Sequence, residues 1–109
     1  MDFEQSSSRI PDVSVVRLKG PFTLSTMFEL QSALREPSTK GFIIDLSSVS
    51  YIDSAALGVL LGQFAHTQRA GYKYALTGLS PRVHTIFEIT GTDKVLPIFP
   101  TPEDAENSF

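Results

Sequence analysis

Apolar positions recur along this chain with two alternating spacings. Val13-Ser14-Val15-Val16-Arg17-Leu18 is β-branched and close to strict alternation, and it runs into Gly20-Pro21. That pattern predicts a half-buried strand and a sharp turn. Ser6-Ser7-Ser8 reads as a loop between a short first strand and this one. From Leu24 to Arg35 the spacing changes: Leu24, Met27, Phe28, Leu30 and Leu34 make an apolar stripe of helical period, ended by Pro37. Gly41-Phe42-Ile43-Ile44-Asp45-Leu46 is short and almost entirely apolar, as expected of a strand buried on both faces. A second helix is predicted over about Ser54 to Ala70, with Leu57, Leu60, Leu61 and Phe64 on one face and Gly71 as its stop. Tyr72 to Thr77 reads as another strand. Ser80-Pro81 opens a third helix that ends at Gly91, Val95 to Phe99 is a short extended piece broken by Pro97, and Thr101-Pro102 opens a last helix. Strands alternating with helices in this order predict an α/β fold: a mixed sheet of four to five strands with about four helices packed on it.

One hydroxyl stands out against this framework. Ser54 falls where a strand's exit loop gives way to a helix, after Asp53 and before Ala55, Ala56 and Gly58. A serine there can cap the helix, and it can also be a phosphorylation switch, since a helix N-terminus tolerates an added anion. Asp53 has two readings as well, orienting the hydroxyl or capping the helix. Ala55, Gly58, Val59 and Gly62 lie away from the large apolar stripe or at its edge. Small residues there admit either a close-fitting partner or tight packing on the sheet.

Composition narrows the remaining chemistry. At 109 residues, 41% hydrophobic and 19% charged, the chain suits one globular domain with a sufficient core. A net charge of −3 without a basic run gives no reason to expect nucleic acid. The absence of cysteine excludes disulfides, thiolate metal sites and cysteine catalysis. His66 and His84 have no partner at ligand spacing, so no metal is expected, and no glycine cluster is followed by Lys-Ser/Thr as a phosphate loop requires. No acid/base or nucleophile constellation supports an enzyme, and no cofactor is expected. Glu103, Asp104 and Glu106 read as a solvated face. The acidic start Met1-Asp2-Phe3-Glu4-Gln5 lacks the features of a signal peptide, and no apolar stretch approaches the ~20 residues of a span, so a cytoplasmic location without membrane insertion is expected.

Asp45-Leu46-Ser47-Ser48-Val49-Ser50-Tyr51-Ile52-Asp53-Ser54, followed by Leu57-Gly58-Val59-Leu60, resembles the signature of STAS domains, and more narrowly that of bacterial anti-sigma factor antagonists. The resemblance continues through Leu79-Ser80-Pro81-Arg82-Val83, Phe87-Glu88-Ile89-Thr90-Gly91 and Val95-Leu96-Pro97-Ile98-Phe99, covering roughly residues 10 to 108, so residues 1–109 are expected to form a single STAS domain. It implies a non-catalytic partner switch. The unphosphorylated protein binds an anti-sigma factor that is also a serine kinase, the sigma factor is released, phosphorylation at Ser54 ends the binding, and a serine phosphatase resets it. The partner surface so implied comprises Asp53, Ser54, Ala55, Gly58, Val59 and Gly62, together with Phe22 and Thr23 in the turn after the second strand. That turn is Gly20-Pro21-Phe22-Thr23 where the family commonly has Gly-Glu-Leu-Asp, and Ala55-Ala56 stand where Ser/Thr-Gly is frequent. Ala55 also matches STAS subunits that dock on the ATPase of a lipid-transport complex, the alternative reading, beside that of a scaffold in a larger signalling assembly. A monomer or weak homodimer is expected.

Overall fold

The apolar run beginning at Gly41 becomes the middle strand of a single five-stranded sheet. A computed structural model describes residues 2–23 and 40–109. Their elements are β1 (Asp2–Ser7), β2 (Val13–Lys19), β3 (Gly41–Ser48), α1 (Ser54–Ala70), β4 (Lys73–Thr77), α2 (Pro81–Thr90), a 3-10 turn (Thr92–Lys94), β5 (Ile98–Phe99) and α3 (Pro102–Ser108). The helix expected over Leu24 to Arg35 lies outside the described residues. Strand order is β1-β2-β3-β4-β5. β1 is antiparallel to β2, and the other neighbours are parallel. One row crosses the whole sheet in register: Gln5, Val16, Ile44, Leu76 and Ile98.

Side-chain alternation along the strands separates two apolar layers. On one face Val16, Leu18, Phe42, Ile44, Leu46 and Leu76 meet Ala56, Leu57 and Leu60 of α1 and Val83 and Phe87 of α2. On the other, Val13, Ile43 and Ala75 meet Ala105 of α3. Gly41 to Leu46 are all buried, which is why that segment alternates so little. The two long helices among the described residues therefore lie on the same face. Both start at the end of the sheet where the parallel strands finish, because each follows the carboxyl end of its strand.

The helix ends follow the local sequence. Gly71 closes α1 with φ 75° and donates its N–H to Gln68 and Thr67 carbonyls, a left-handed conformation that glycine adopts without a Cβ clash. Ser80 caps α2 by accepting the Val83 N–H at 3.3 Å, and Pro81 occupies the first turn. Thr101 caps α3 through the Asp104 N–H.

Two expectations are corrected here. Ser6 and Ser7 belong to β1, opposite Val15 and Ser14, and the reversal falls at Ser8 to Asp12, where Asp12 has φ 63°. An edge strand pairs through its backbone, so exposed serines serve it well and supply no apolar signal. Glu106, read as solvated, is buried. Its carboxylate accepts hydrogen bonds from the Ser8 hydroxyl and, at 2.9 Å, from the Arg9 N–H, which ties α3 to the β1–β2 turn.

The Ser8 hydrogen bond, helped by the Arg9 N–H and charge and opposed by burial, holds the Glu106 carboxyl below its ordinary value of 4.5. A depressed folded-state pKa stabilises the fold at pH above the unfolded-state value. That contribution is lost as pH falls through the folded-state value. Glu106→Gln is therefore expected to be less stable than the wild type at pH 7, with the gap narrowing below about pH 4.5. Urea unfolding of both proteins at pH 7 and pH 3 checks this; a gap that stays constant or widens in acid would refute the assignment.

Candidate functional site

After β3 the chain passes through Val49–Asp53 into α1. The Val49 and Ile52 side chains are buried and anchor this loop, whereas Ser50 and Tyr51 face solvent. A second segment is stitched to it. Gly20, at φ 90°, turns the chain after β2 and donates its N–H to the Ser48 carbonyl at 2.9 Å. Phe22 then bridges Ile52 in parallel fashion. Its N–H donates to the Tyr51 carbonyl at 2.9 Å, and the Asp53 N–H donates to the Phe22 carbonyl at 3.3 Å.

Phe22 is consequently a core residue with 0% exposure, which corrects its expected place on a partner surface. The turn points its ring inward, among the same apolar side chains that α1 covers. Thr23, the next residue, remains partly exposed.

Asp53 settles which residue caps α1. Its backbone is extended (φ −96°, ψ 174°) and its Oδ1 accepts the Ala56 N–H at 2.8 Å. A carboxylate in this position also interacts favourably with the positive end of the helix dipole. Ser54 is thus the first residue inside the helix, and its side chain is exposed. The reading of Ser54 as the cap is replaced by a capping aspartate beside an exposed hydroxyl.

Ser54, Gly58 and Gly62 lie at i, i+4 and i+8 on the solvent side of α1, and all three are exposed. A Cβ added at either glycine would meet nothing within 4 Å, so tight packing on the sheet does not explain them. Ala55 and Val59 are partly buried at the edge of this strip, with Val59 packed against the core. Gly58→Ala and Gly62→Ala are each expected to stabilise the fold by about 0.5–1 kcal/mol, because glycine is the poorer helix residue and the new methyl meets open space. Thermal unfolding measures this, and destabilisation by either variant would contradict the open geometry.

One feature of this surface escaped the sequence reading. The Arg82 guanidinium, from the first turn of α2, lies over the Tyr51 ring, 5.6 Å from its centroid. Tyr51 is 41% exposed. The only available signals were an aromatic residue in a polar loop and an arginine just after a helix cap.

The other polar candidates are occupied structurally. Asp45 is buried and accepts from Arg17 Nε at 3.0 Å and from the Ser47 N–H at 2.9 Å. His84 Nδ1 lies 2.6 Å from Glu88 Oε1 on the same helix. Among the described residues no group of three or more His, Asp or Glu side chains is placed to hold a metal ion, and no helix is long and apolar enough to cross a membrane. A cleft of about 540 Å³ opens where β4 begins, lined by Phe64, Tyr72, Tyr74, Leu96 and Phe109 among others. It includes none of the residues around Ser54. Burial raises the Tyr74 phenol far above its ordinary value there, and its hydroxyl donates to Gln63 Oε1 at 3.1 Å.

Among the described residues, a parallel-rich sheet carries α1 and α2 on one face and α3 on the other, an α/β class of domain. The STAS domain family model matches residues 5–105, and the chain belongs to that family. The anti-sigma F factor antagonist of Paenibacillus polymyxa is 26% identical over 91 residues, covering 80% of this chain and 78% of that one. The anti-sigma-B factor antagonist of Listeria monocytogenes is 44% identical over 55 residues, 50% of this chain and 48% of that one. Among solved structures, the anti-sigma factor antagonist SpoIIAA in its unphosphorylated form aligns with a TM-score of 0.78 at 19% identity, covering 98% of this chain and 95% of that one. The phosphorylated form of Bacillus SpoIIAA aligns with a TM-score of 0.67 at 19% identity, covering 98% of each chain. These two structural likenesses are of fold.

Proposed function

We propose that this chain is an anti-sigma factor antagonist switched by phosphorylation of Ser54. In its unphosphorylated form it binds an anti-sigma factor that is also a serine kinase, and the sigma factor is released. The kinase then transfers the γ-phosphoryl group of ATP to the Ser54 hydroxyl, which gives up its proton, and the partners separate. A serine phosphatase restores the binding form. The contact surface in this reading is the Ser54–Gly58–Gly62 strip with Ala55 and Val59 at its edge and Asp53 and Thr23 at its rim. The domain acts by binding.

The observation that carries the proposal is the exposed Ser54 hydroxyl on a helix whose capping is done by Asp53. Ser54 has no capping task there, so it can be modified without unmaking the helix. A phosphoserine brings about −1.5 to −2 charges. The helix N-terminus favours them by roughly 0.3–1 kcal/mol, and the Asp53 carboxylate opposes them by a similar amount. The small side chains along the strip let a partner backbone come close. The curated antagonists similar to this chain support the same role.

Incubation with ATP and each anti-sigma factor kinase of its host, followed by intact-mass measurement, tests the proposal. One phosphate on the wild type and none on Ser54→Ala is the expected result. No phosphate from any kinase, with co-purification of a transport ATPase subunit, would replace this reading with the accessory-subunit one.

A further inference from the structure

We propose that Arg82 is the residue that receives the phosphate of phosphorylated Ser54, and that its guanidinium leaves the Tyr51 ring to do so. The inference deepens the switch reading above and rests on Ser54 being the modified residue.

Three observations converge. First, α1 and α2 follow adjacent parallel strands and pack on the same face of the sheet, so both begin at the carboxyl end of those strands. Side chains must span the gap between the loop that enters α1 and the first turn of α2. Second, Arg82 already bridges that gap. Its guanidinium sits 5.6 Å from the centre of the Tyr51 ring, and Tyr51 belongs to the loop leading into α1, three residues before Ser54. Three residues of chain span at most ~10 Å. Ser54, Tyr51 and Arg82 are all solvent-exposed, so no core side chain stands in the way of the exchange.

Third, Arg82 lacks a carboxylate partner among the described residues, whereas Arg9, Arg17 and Lys19 each have one. Among the described residues it makes the cation–π contact with Tyr51, a weak interaction at an exposed site. A phosphate dianion offers the same guanidinium two parallel charge-assisted hydrogen bonds, a stronger and more directional pairing. Asp53, next to Ser54 in the chain, brings a carboxylate to this loop, Arg82 brings a guanidinium over Tyr51, and Lys19, at the end of β2, is engaged by Glu4. Residues 20–23 carry no ionisable side chain, and His84, further along α2, is engaged by Glu88. Arg82, held over the loop that leads into Ser54, is the cation assigned to the phosphate. The consequence is a change at two points of the surface at once: a charge appears at Ser54, and the cation over Tyr51 departs.

The test needs no kinase. Phosphoserine is introduced at position 54 by encoded incorporation, and the second phosphate pKa is followed by phosphorus-31 NMR at low salt in the wild type, Arg82→Ala and Arg82→Lys. The second pKa of phosphoserine is ordinarily near 6. Wild type is expected to titrate about half a unit or more below Arg82→Ala, with Arg82→Lys between them. In the same samples the Tyr51 ring proton shifts of the phosphorylated wild type should move towards those of unphosphorylated Arg82→Ala. Equal pKa values in the wild type and Arg82→Ala, or Tyr51 shifts unmoved by the phosphate, would overturn the inference. Because the phosphate is installed directly, that result is separate from a failure of any kinase to label Ser54. Arg82 is exposed and outside the core, so its replacement leaves the fold available for measurement.

Discussion

Phosphorylation of Ser54 is expected to weaken binding to the anti-sigma factor by at least about 100-fold while thermal unfolding changes by only a few degrees. In the isolated domain the phosphate stays at the exposed surface, where water and Arg82 both reach it. The helix N-terminus attracts it by a few tenths of a kcal/mol to about 1, and Asp53, roughly 6 Å away, repels it by about 0.7 kcal/mol per unit charge in a high dielectric. These terms nearly cancel. At a closed interface the dianion loses its water, and the charge that a single guanidinium leaves uncompensated costs several kcal/mol there. Each 1.4 kcal/mol is a tenfold change in affinity, so 3 kcal/mol already exceeds 100-fold. Titration calorimetry with phosphorylated and unphosphorylated protein, beside calorimetric melting of each, measures both halves. Equal affinities would refute the switch. A large fall in melting temperature would mean that the phosphate acts by unfolding. Ser54→Asp, with one charge in place of nearly two, should reproduce only part of the loss.

Phe22→Ala is expected to destabilise the fold by about 3–5 kcal/mol, the usual range for removing a buried aromatic ring. Phe22 has no exposed surface and packs in the main core, and its backbone is bonded to both Tyr51 and Asp53. Against a total stability of roughly 5–15 kcal/mol for such a domain, this is a large share. Thr23→Ala, one position later at a partly exposed site, should cost far less. Urea unfolding distinguishes the two; a loss below about 1 kcal/mol for Phe22→Ala would return that residue to the surface.

The contrast between Phe22 and Ser54 illustrates what can be read from the chain. The span of α1 was legible at both ends because an acidic cap and Gly71 bracket it, and β3 because six consecutive buried residues leave an unbroken apolar run. Those signals are local. The inward turn of Phe22 depends on the Gly20 conformation and on a bridge to Ile52, thirty residues away in sequence. Nothing near Phe22 records it. β1 was under-read for a related reason, since Ser6 and Ser7 are held by backbone pairing to β2. Asp53 and Ser54 are both good cap residues, and only the 2.8 Å bond to the Ala56 N–H chooses between them. The Tyr51–Arg82 contact joins the loop after β3 to the first turn of the helix after β4, so it emerges only once the strand order is known.

The stitching of residues 20–22 to the Ser48–Asp53 segment bears on timing. Three backbone hydrogen bonds and the buried Phe22 and Ile52 side chains assemble this surface within the free protein. A partner meets a finished shape, so little ordering entropy is lost at the encounter. Association can then run at the rate set by diffusion and orientation, about 10⁵–10⁷ per molar per second for rigid proteins. Under the proposed switch, the protein's response would keep pace with the addition and removal of the phosphoryl group, with no folding step in between.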